Sequence, residues 1–277
     1  MLHRLLLLVF LNLSAGLITA QSYRLATYNI RGDMAKDAPA NTWQQRKLMI
    51  PQLIRFHDFD VFGIQEADPG QLRDLTNALP EYTLVAEGKN DGQNGSAIFF
   101  KSAAFQLQKS SNFWLAPDPE KKSRAWDAKF ARGCTWVALK DLESGFIFYY
   151  FNTHLDHVGV MARKNSTTLL LKKIKELAGE NAAALGGDFN FTQYDENYGV
   201  MKNAGLLQDA WDITKLRYAP NGTFNGFNIT RNSDERIDHI FLTKHFQVES
   251  YGILTDNFGG KFPSDHFPVL IIAKYKK

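Results

Sequence analysis

The chain has 277 residues, 44% of them hydrophobic and 22% charged, which is the composition of a globular protein with material for a sizeable core. Thirty-two basic residues against twenty-nine acidic ones leave a formal charge of +3. That balance, free of long like-charged blocks, excludes an extended basic track for nucleic acid while leaving a nucleic-acid substrate open. A single cysteine, Cys134, excludes an intrachain disulfide, and its alternating surroundings read as those of a small buried hydrophobe.

At the N-terminus, Arg4 precedes an apolar run over residues 5–11, and small and polar residues lead on to Ala20. The run is too short to span a bilayer, so residues 1–20 read as a cleavable signal peptide. Cleavage would leave residues 21–277 as an exported domain, periplasmic or secreted, with no stable membrane insertion. Residues 23–30 alternate like a first strand. Residues 43–56 carry Trp43, Leu48, Leu53 and Ile54 at helical spacing, with Pro51 expected to end or kink the helix. A short apolar run over 60–65 stops at Glu66, and residues 97–100 and 105–107 read as neighbouring strands. Residues 134–141 and 145–152 are strong strands joined by a turn. Residues 160–177 form an amphipathic helix, with Leu169, Leu170, Ile174 and Leu177 on its stripe. A short buried strand then leads into Asp188, and strands over 237–242, 248–254 and 267–275 close the chain. No linker divides the sequence, so one domain, acting as a monomer, is expected.

Polar and ionisable residues recur where these strands end. They are Asn29 in Thr-Tyr-Asn-Ile-Arg, Glu66 in Ile-Gln-Glu, and His154 and Asp156 in Asn-Thr-His-Leu-Asp. Further along come Asp188 and Asn190 in Gly-Gly-Asp-Phe-Asn, Asp238 in Arg-Ile-Asp-His-Ile, and Asp265 and His266 in Ser-Asp-His-Phe-Pro-Val. Carboxylates and amide oxygens are hard ligands that suit Mg²⁺ or Mn²⁺ better than zinc. Such a cation neutralises a phosphoryl group, and a His–Asp pair activates water for in-line attack. Each motif alone also fits a plainer role: an Asx turn, a satisfied ion pair, a solvated acid. Their occurrence in one order along one chain is what sets them apart.

In that order the sequence resembles the endonuclease/exonuclease/phosphatase superfamily of DNase-I-like phosphoesterases, over residues 23–276. The resemblance implies a four-layer α/β sandwich: two packed, mostly antiparallel sheets flanked by helices, with the site at one edge. It implies metal binding by Asn29, Glu66 and Asp265, and orientation of the attacking water by Asp188 and Asn190. It further implies that His266 is a general base or phosphate contact oriented by Asp238. His154 would be a second histidine that steadies the phosphoryl oxygen or the leaving group. Where many relatives carry a glutamate that supports this histidine, the aligned residue is Asn94, so either Asp156 supplies that support or His154 acts as a neutral donor. Arg132 is the candidate phosphate-binding side chain, and Phe113, Trp114 and Trp126 offer an aromatic wall or core packing.

The activity expected first is hydrolysis of a phosphodiester: a nucleic acid, a nucleotide or a phospholipid head group. The alternative is a phosphomonoesterase acting on a sugar or inositol phosphate, and the modest charge favours a small substrate. A non-catalytic binding protein on the same fold is a third reading, disfavoured because all the implied site residues are present.

Overall fold

The computed structural model describes residues 21–86 and 95–276; the expected signal peptide and Asn94 lie outside the described residues. In chain order the first elements are β1 (Ser22–Asn29), α1 (Trp43–Arg46), α2 (Met49–Phe56), β2 (Val61–Ala67), α3 (Pro69–Ala78), β3 (Tyr82–Ala86), β4 (Gly95–Lys101) and β5 (Phe105–Trp114). Then follow β6 (Gly133–Asp141), β7 (Ile147–His154), α4 (Val160–Ala178), β8 (Ala182–Asp188), α5 (Glu196–Asn203) and β9 (Gln208–Asp209). The last are α6 (Ala210–Ile213), β10 (Leu216–Tyr218), β11 (Asp238–Leu242), β12 (Phe246–Ile253) and β13 (Val269–Tyr275).

The strands form two sheets, ordered β10-β12-β13-β1-β2-β4-β3 and β5-β6-β7-β8-β11-β9. Pairing is antiparallel except at β1/β2, β7/β8 and β10/β12. Strand β1 shows why the layers stack as they do. Its side chains alternate faces: Tyr23 and Leu25 join the core between the sheets, while Ala26 and Tyr28 join a second core under the helices. Helices α1 to α3 bring Trp43, Ile54 and Leu75 onto Phe62 and Phe99 of the first sheet. On the far side α4 and α5 bring Leu170, Ile174 and Met201 onto Phe151 and Leu185. The order of layers is helix, sheet, sheet, helix, as the resemblance implies.

Local chemistry sets the helix ends. Asp68 and Gln71 exchange side-chain and backbone hydrogen bonds in a capping box at the start of α3, with Pro69 in its first turn. The helix expected over residues 43–56 is two helices, broken at Lys47 and Leu48 and not at Pro51. Pro51 lies in the first turn of α2, where a missing N–H costs no intrahelical hydrogen bond. The segment Ser264–His266 is a loop ahead of β13, which starts at Val269, two residues later than the strand expected over 267–275.

A polar seam joins the two sheets. Asn152 Nδ2 donates to the carbonyls of Ile64 (2.8 Å) and Ala97 (2.9 Å), and its Oδ1 accepts from Gln65 Nε2 at 2.6 Å. Gln65 Nε2 also reaches Thr27 Oγ1, and Tyr150 donates its hydroxyl to the Ala26 carbonyl. Gly63 makes this approach possible, since a Cβ there would lie 2.4 Å from Asn152 Cγ and Oδ1. The seam runs towards the strand ends that carry the ionisable residues.

Candidate active site

Strand register delivers the core of the site. In parallel β7 and β8, His154 stands opposite Asp188; in antiparallel β8 and β11, Asp188 stands opposite Asp238. Three ionisable side chains from three adjacent strands therefore share one row. From the other sheet come Asn29, at the end of β1, and Glu66, one residue beyond its register partner in β2. The 264–266 loop is tied beside β1 by Ser264 Oγ, which donates to the Asn29 carbonyl at 2.7 Å. Asn225 N and Gly226 N donate to the Asp265 carbonyl and hold the loop from its other side.

The hydrogen bonds close this row into a cluster. Asn29 Nδ2 donates to Glu66 Oε1 (3.2 Å) and Asp188 Oδ2 (2.9 Å), and its Oδ1 accepts from Arg31 N. Asn29 thus brackets the two carboxylates. His266 Nδ1 lies 2.9 Å from Asp238 Oδ2, and its Nε2 faces Asp188 at 3.8 Å. His154 Nε2 lies 3.4 Å from Asp188 Oδ2. Asn190 Nδ2 donates to the Leu155 carbonyl (3.0 Å) and meets His154 Nε2 at 3.1 Å. A carbonyl only accepts, so the amide nitrogen is fixed there, and the matching lone pair belongs on His154 Nε2. Glu66 and Asn190 adopt left-handed backbone at φ 66° and 50°, conformations costly for non-glycine residues and here held by the surrounding packing.

Burial decides the protonation states. For Asp188, burial and then the charge of Asp238 raise the carboxyl to about 7. His266 is also buried, which works against its charge, but Asp238, Asp188 and Asp265 outweigh burial and raise it to about 10. His154 is pushed well below the ordinary histidine value by burial, with Arg132 adding to the effect, so it is neutral. Asp156 does not support His154. Burial opposes its charge too, yet the backbone N–H groups of Gly159, Lys129, Phe130 and Val158 hold it down at about 2.

A divalent cation fits this set of donors. Glu66 and Asp265 line the cleft, Asp188 and Asp238 are buried, and the raised Asp188 is the sign of a buried acid that His266 compensates only in part. Asp188, Asp238 and His266 bring one ligand atom each within 4.8 Å of one another. Because His266 Nδ1 is engaged by Asp238, that trio is better suited to moving a proton, and Glu66 is the acid best placed to hold the ion.

The cluster opens into a cleft of about 410 Å³ lined by Arg31, Glu66, Arg132, His154, Asn190, Asp265 and His266. Arg132 is only 6% exposed; its Nε faces Asp156 Oδ2 at 3.7 Å, and its Nη1 has no hydrogen-bond partner among the described residues. Its loop is anchored from two sides. Asp127 caps α4 by accepting from Met161 N and Ala162 N, and Asp156 Oδ2 accepts from Phe130 N. Of the three aromatics, Phe113 packs in the core, the plainer of its two readings, and the rings that line the cleft are Phe130 and Phe224, not Trp114 or Trp126. Sequence reasoning also missed Arg31, Lys36, Lys129 and His157 as lining residues. Arg31 and His157 each lie within three residues of a motif side chain, the one signal that points to them.

The model of the Endonuclease/Exonuclease/phosphatase family matches residues 26–266. A solved family protein from Bacteroides thetaiotaomicron is 38% identical and superposes at a TM-score of 0.90, covering 93% of this chain and 99% of that one. A mannosyl-6-phosphatase of the same organism is 39% identical at a TM-score of 0.87, covering 91% of this chain and 100% of that one. Nocturnin of Drosophila melanogaster is 27% identical over 183 residues, which is 61% of this chain and only 27% of the fly protein. The chain belongs to the endonuclease/exonuclease/phosphatase family, whose members are phosphoester hydrolases that generally depend on a divalent metal.

Proposed function

We propose that the protein is an exported, Mg²⁺- or Mn²⁺-dependent phosphomonoesterase that acts on a sugar phosphate. The carrying observation is the buried Arg132 guanidinium on the cleft that holds His154, His266 and Glu66, with Nη1 lacking a hydrogen-bond partner among the described residues. A buried cation with a free donor suits a phosphate, and Arg31, Lys36 and Lys129 on the same cleft suit the second charge of a monoester dianion. The cleft is small, and the 39% identical mannosyl-6-phosphatase aligns with nearly the whole of this chain. Of the two activities open from the sequence, these observations favour the monoester over the diester first expected. Export rests on the signal-like residues 1–20.

The proposed chemistry uses Asp188 as the proton acceptor for the attacking water, since its affinity for a proton lies nearest neutrality. Asn190 N and Asn29 Nδ2 hold its two oxygens in place. His266, kept protonated by Asp238, offers its Nε2 proton at the phosphoryl group and passes it to the sugar oxygen as the P–O bond to that oxygen breaks, while Arg132 takes further phosphoryl oxygens. Neutral His154 positions the Asn190 amide. When bound, the divalent ion would supply Lewis-acid neutralisation of the phosphoryl charge, with Glu66 and the oxygen of Asn29 the residues that would hold it, while Asp265 Oδ2 faces Arg31 Nη1 at 3.5 Å.

Phosphate release from mannose 6-phosphate, glucose 6-phosphate and inositol phosphates should be compared with turnover of bis(4-nitrophenyl) phosphate and a short oligonucleotide. Sugar phosphates should be hydrolysed at least tenfold faster. Faster turnover of either diester overturns the monoester assignment.

A further inference from the structure

The left-handed backbone of Arg31, φ 59°, lies directly beside the site and is unusual for a long side chain. Several bonds hold it there. Its N–H donates to Asn29 Oδ1 at 3.0 Å, and its carbonyl accepts from Gln71 Nε2 (2.9 Å) and Arg46 Nη2 (3.0 Å). The guanidinium is held as firmly. Nη2 and Nε donate to the two oxygens of Asp37 at 2.7 and 3.4 Å, and Nη1 stands 3.5 Å from Asp265 Oδ2. A simple loop-stabilising pair with Asp37 would need neither the strained backbone nor the third nitrogen directed at Asp265.

We propose that Arg31 is a built-in cation occupying the position in which a second divalent ion would meet Asp265, so that the site takes a single ion on its Glu66 side. The inference rests on the metal-dependent reading given above and specifies its stoichiometry. An ion bound to Asp265 Oδ2 would lie within a few ångströms of a guanidinium that cannot shed its proton, and repulsion would keep it out. Asp265 then serves chiefly to hold Arg31 at the cleft. Arg31 in turn stays 3.5 Å from that acid and on the lining of the cleft, within reach of a phosphoryl oxygen. Arg46, buried behind it, bonds the carbonyls of Ile30, Arg31, Asn41 and Pro263 and fixes the frame on which Arg31 is mounted.

The test counts ions and needs no turnover. Mn²⁺ is titrated calorimetrically into the intact chain and into Arg31→Met and Arg31→Lys, with bound Mn²⁺ counted by electron paramagnetic resonance and folding checked by thermal melting. One ion is expected in the wild type and in Arg31→Lys. Arg31→Met, which keeps the stem and removes the charge, should bind two, with the spin coupling of neighbouring Mn²⁺ ions. Two ions in the wild type or in Arg31→Lys, or one in folded Arg31→Met, overturns the proposal. The wild-type count decides it even if Arg31→Met does not fold. A wild type that binds no Mn²⁺ defeats the metal-dependent reading and this inference together, whereas one ion in both wild type and Arg31→Met defeats this inference alone.

Discussion

Asp238 and Asp188 face each other across the β8/β11 register, yet Asp238 holds His266 Nδ1 in a hydrogen bond at 2.9 Å while the same ring faces Asp188 only at 3.8 Å. The pairing separates two acids that start out alike. Asp238 has a cation to answer its charge, while Asp188, buried beside it, is raised to about 7. Replacing Asp238 with asparagine should remove the main support of the His266 cation and relieve the repulsion on Asp188.

The pH dependence of that variant has a definite sign. His266 is raised to about 10 and is needed protonated, so the wild type should keep this contribution until the pH rises through that value. In Asp238→Asn the alkaline limb of kcat/KM should move to lower pH, with kcat falling about 10²- to 10⁴-fold, the usual worth of a positioned acid or base. An unmoved alkaline limb, measured over pH 5–10, would show that Asp238 does not control His266.

Arg132→Ala should weaken phosphate-ester binding about 10- to 100-fold, as expected for losing hydrogen bonds to a charged group. The loss should fall mainly on KM and on inhibition by inorganic phosphate. Arg132→Lys should recover little, because an ammonium cannot present the same planar pair of donors. A lysine variant with wild-type KM would contradict the assigned contact.

Chelation with EDTA should abolish turnover, and Mg²⁺ or Mn²⁺ should restore it. Glu66→Gln should leave the fold intact while raising the concentration of ion needed for half-maximal activity by at least tenfold, comparable to the loss of other groups that orient a metal site. Circular dichroism and an activation curve in added metal check both halves. An unchanged curve would remove Glu66 from the metal site.

Asp156 governs stability more than chemistry. Its folded carboxyl is held at about 2, below the ordinary value, so its contribution is fully present above the unfolded value and is lost as pH falls through about 4 to 2. That contribution is about 2 kcal/mol. Asp156→Asn should be less stable at pH 7 and show a shallower loss of stability between pH 5 and pH 2.5, read by urea unfolding at each pH. Parallel curves for the two proteins would refute this account.

The strand-end position of the site was legible in the sequence because β7, β8 and β11 interrupt apolar runs with polar residues at their final or first positions. Asn152, His154, Asp188 and Asp238 all stand out against buried neighbours. The layered architecture followed from the family resemblance that the ordered motifs carry. Other features depend on tertiary geometry that no local pattern encodes. The break ahead of Pro51 depends on how α1 and α2 wrap the first sheet. Strand β3, Tyr82–Ala86, is half-buried and lacks a clear alternation. Arg31 reads as an ordinary charged residue until its left-handed backbone turns it toward Asp265. Phe130 reaches the cleft because Asp156 and Asp127 anchor its loop, whereas Phe113 packs in the core from strand β5.

Asn29 and Glu66 belong to one sheet, while His154, Asp188 and Asp238 belong to the other. The chemistry therefore straddles a sliding plane, and the hydrogen bonds of Asn152, Gln65 and Tyr150 act as the dowels that keep the two halves aligned. A Cβ at Gly63 would press on one of those dowels. Activity in Gly63→Ala should consequently fade at lower urea concentrations than tryptophan fluorescence reports unfolding, because misalignment of an ångström silences the reaction before the sandwich comes apart.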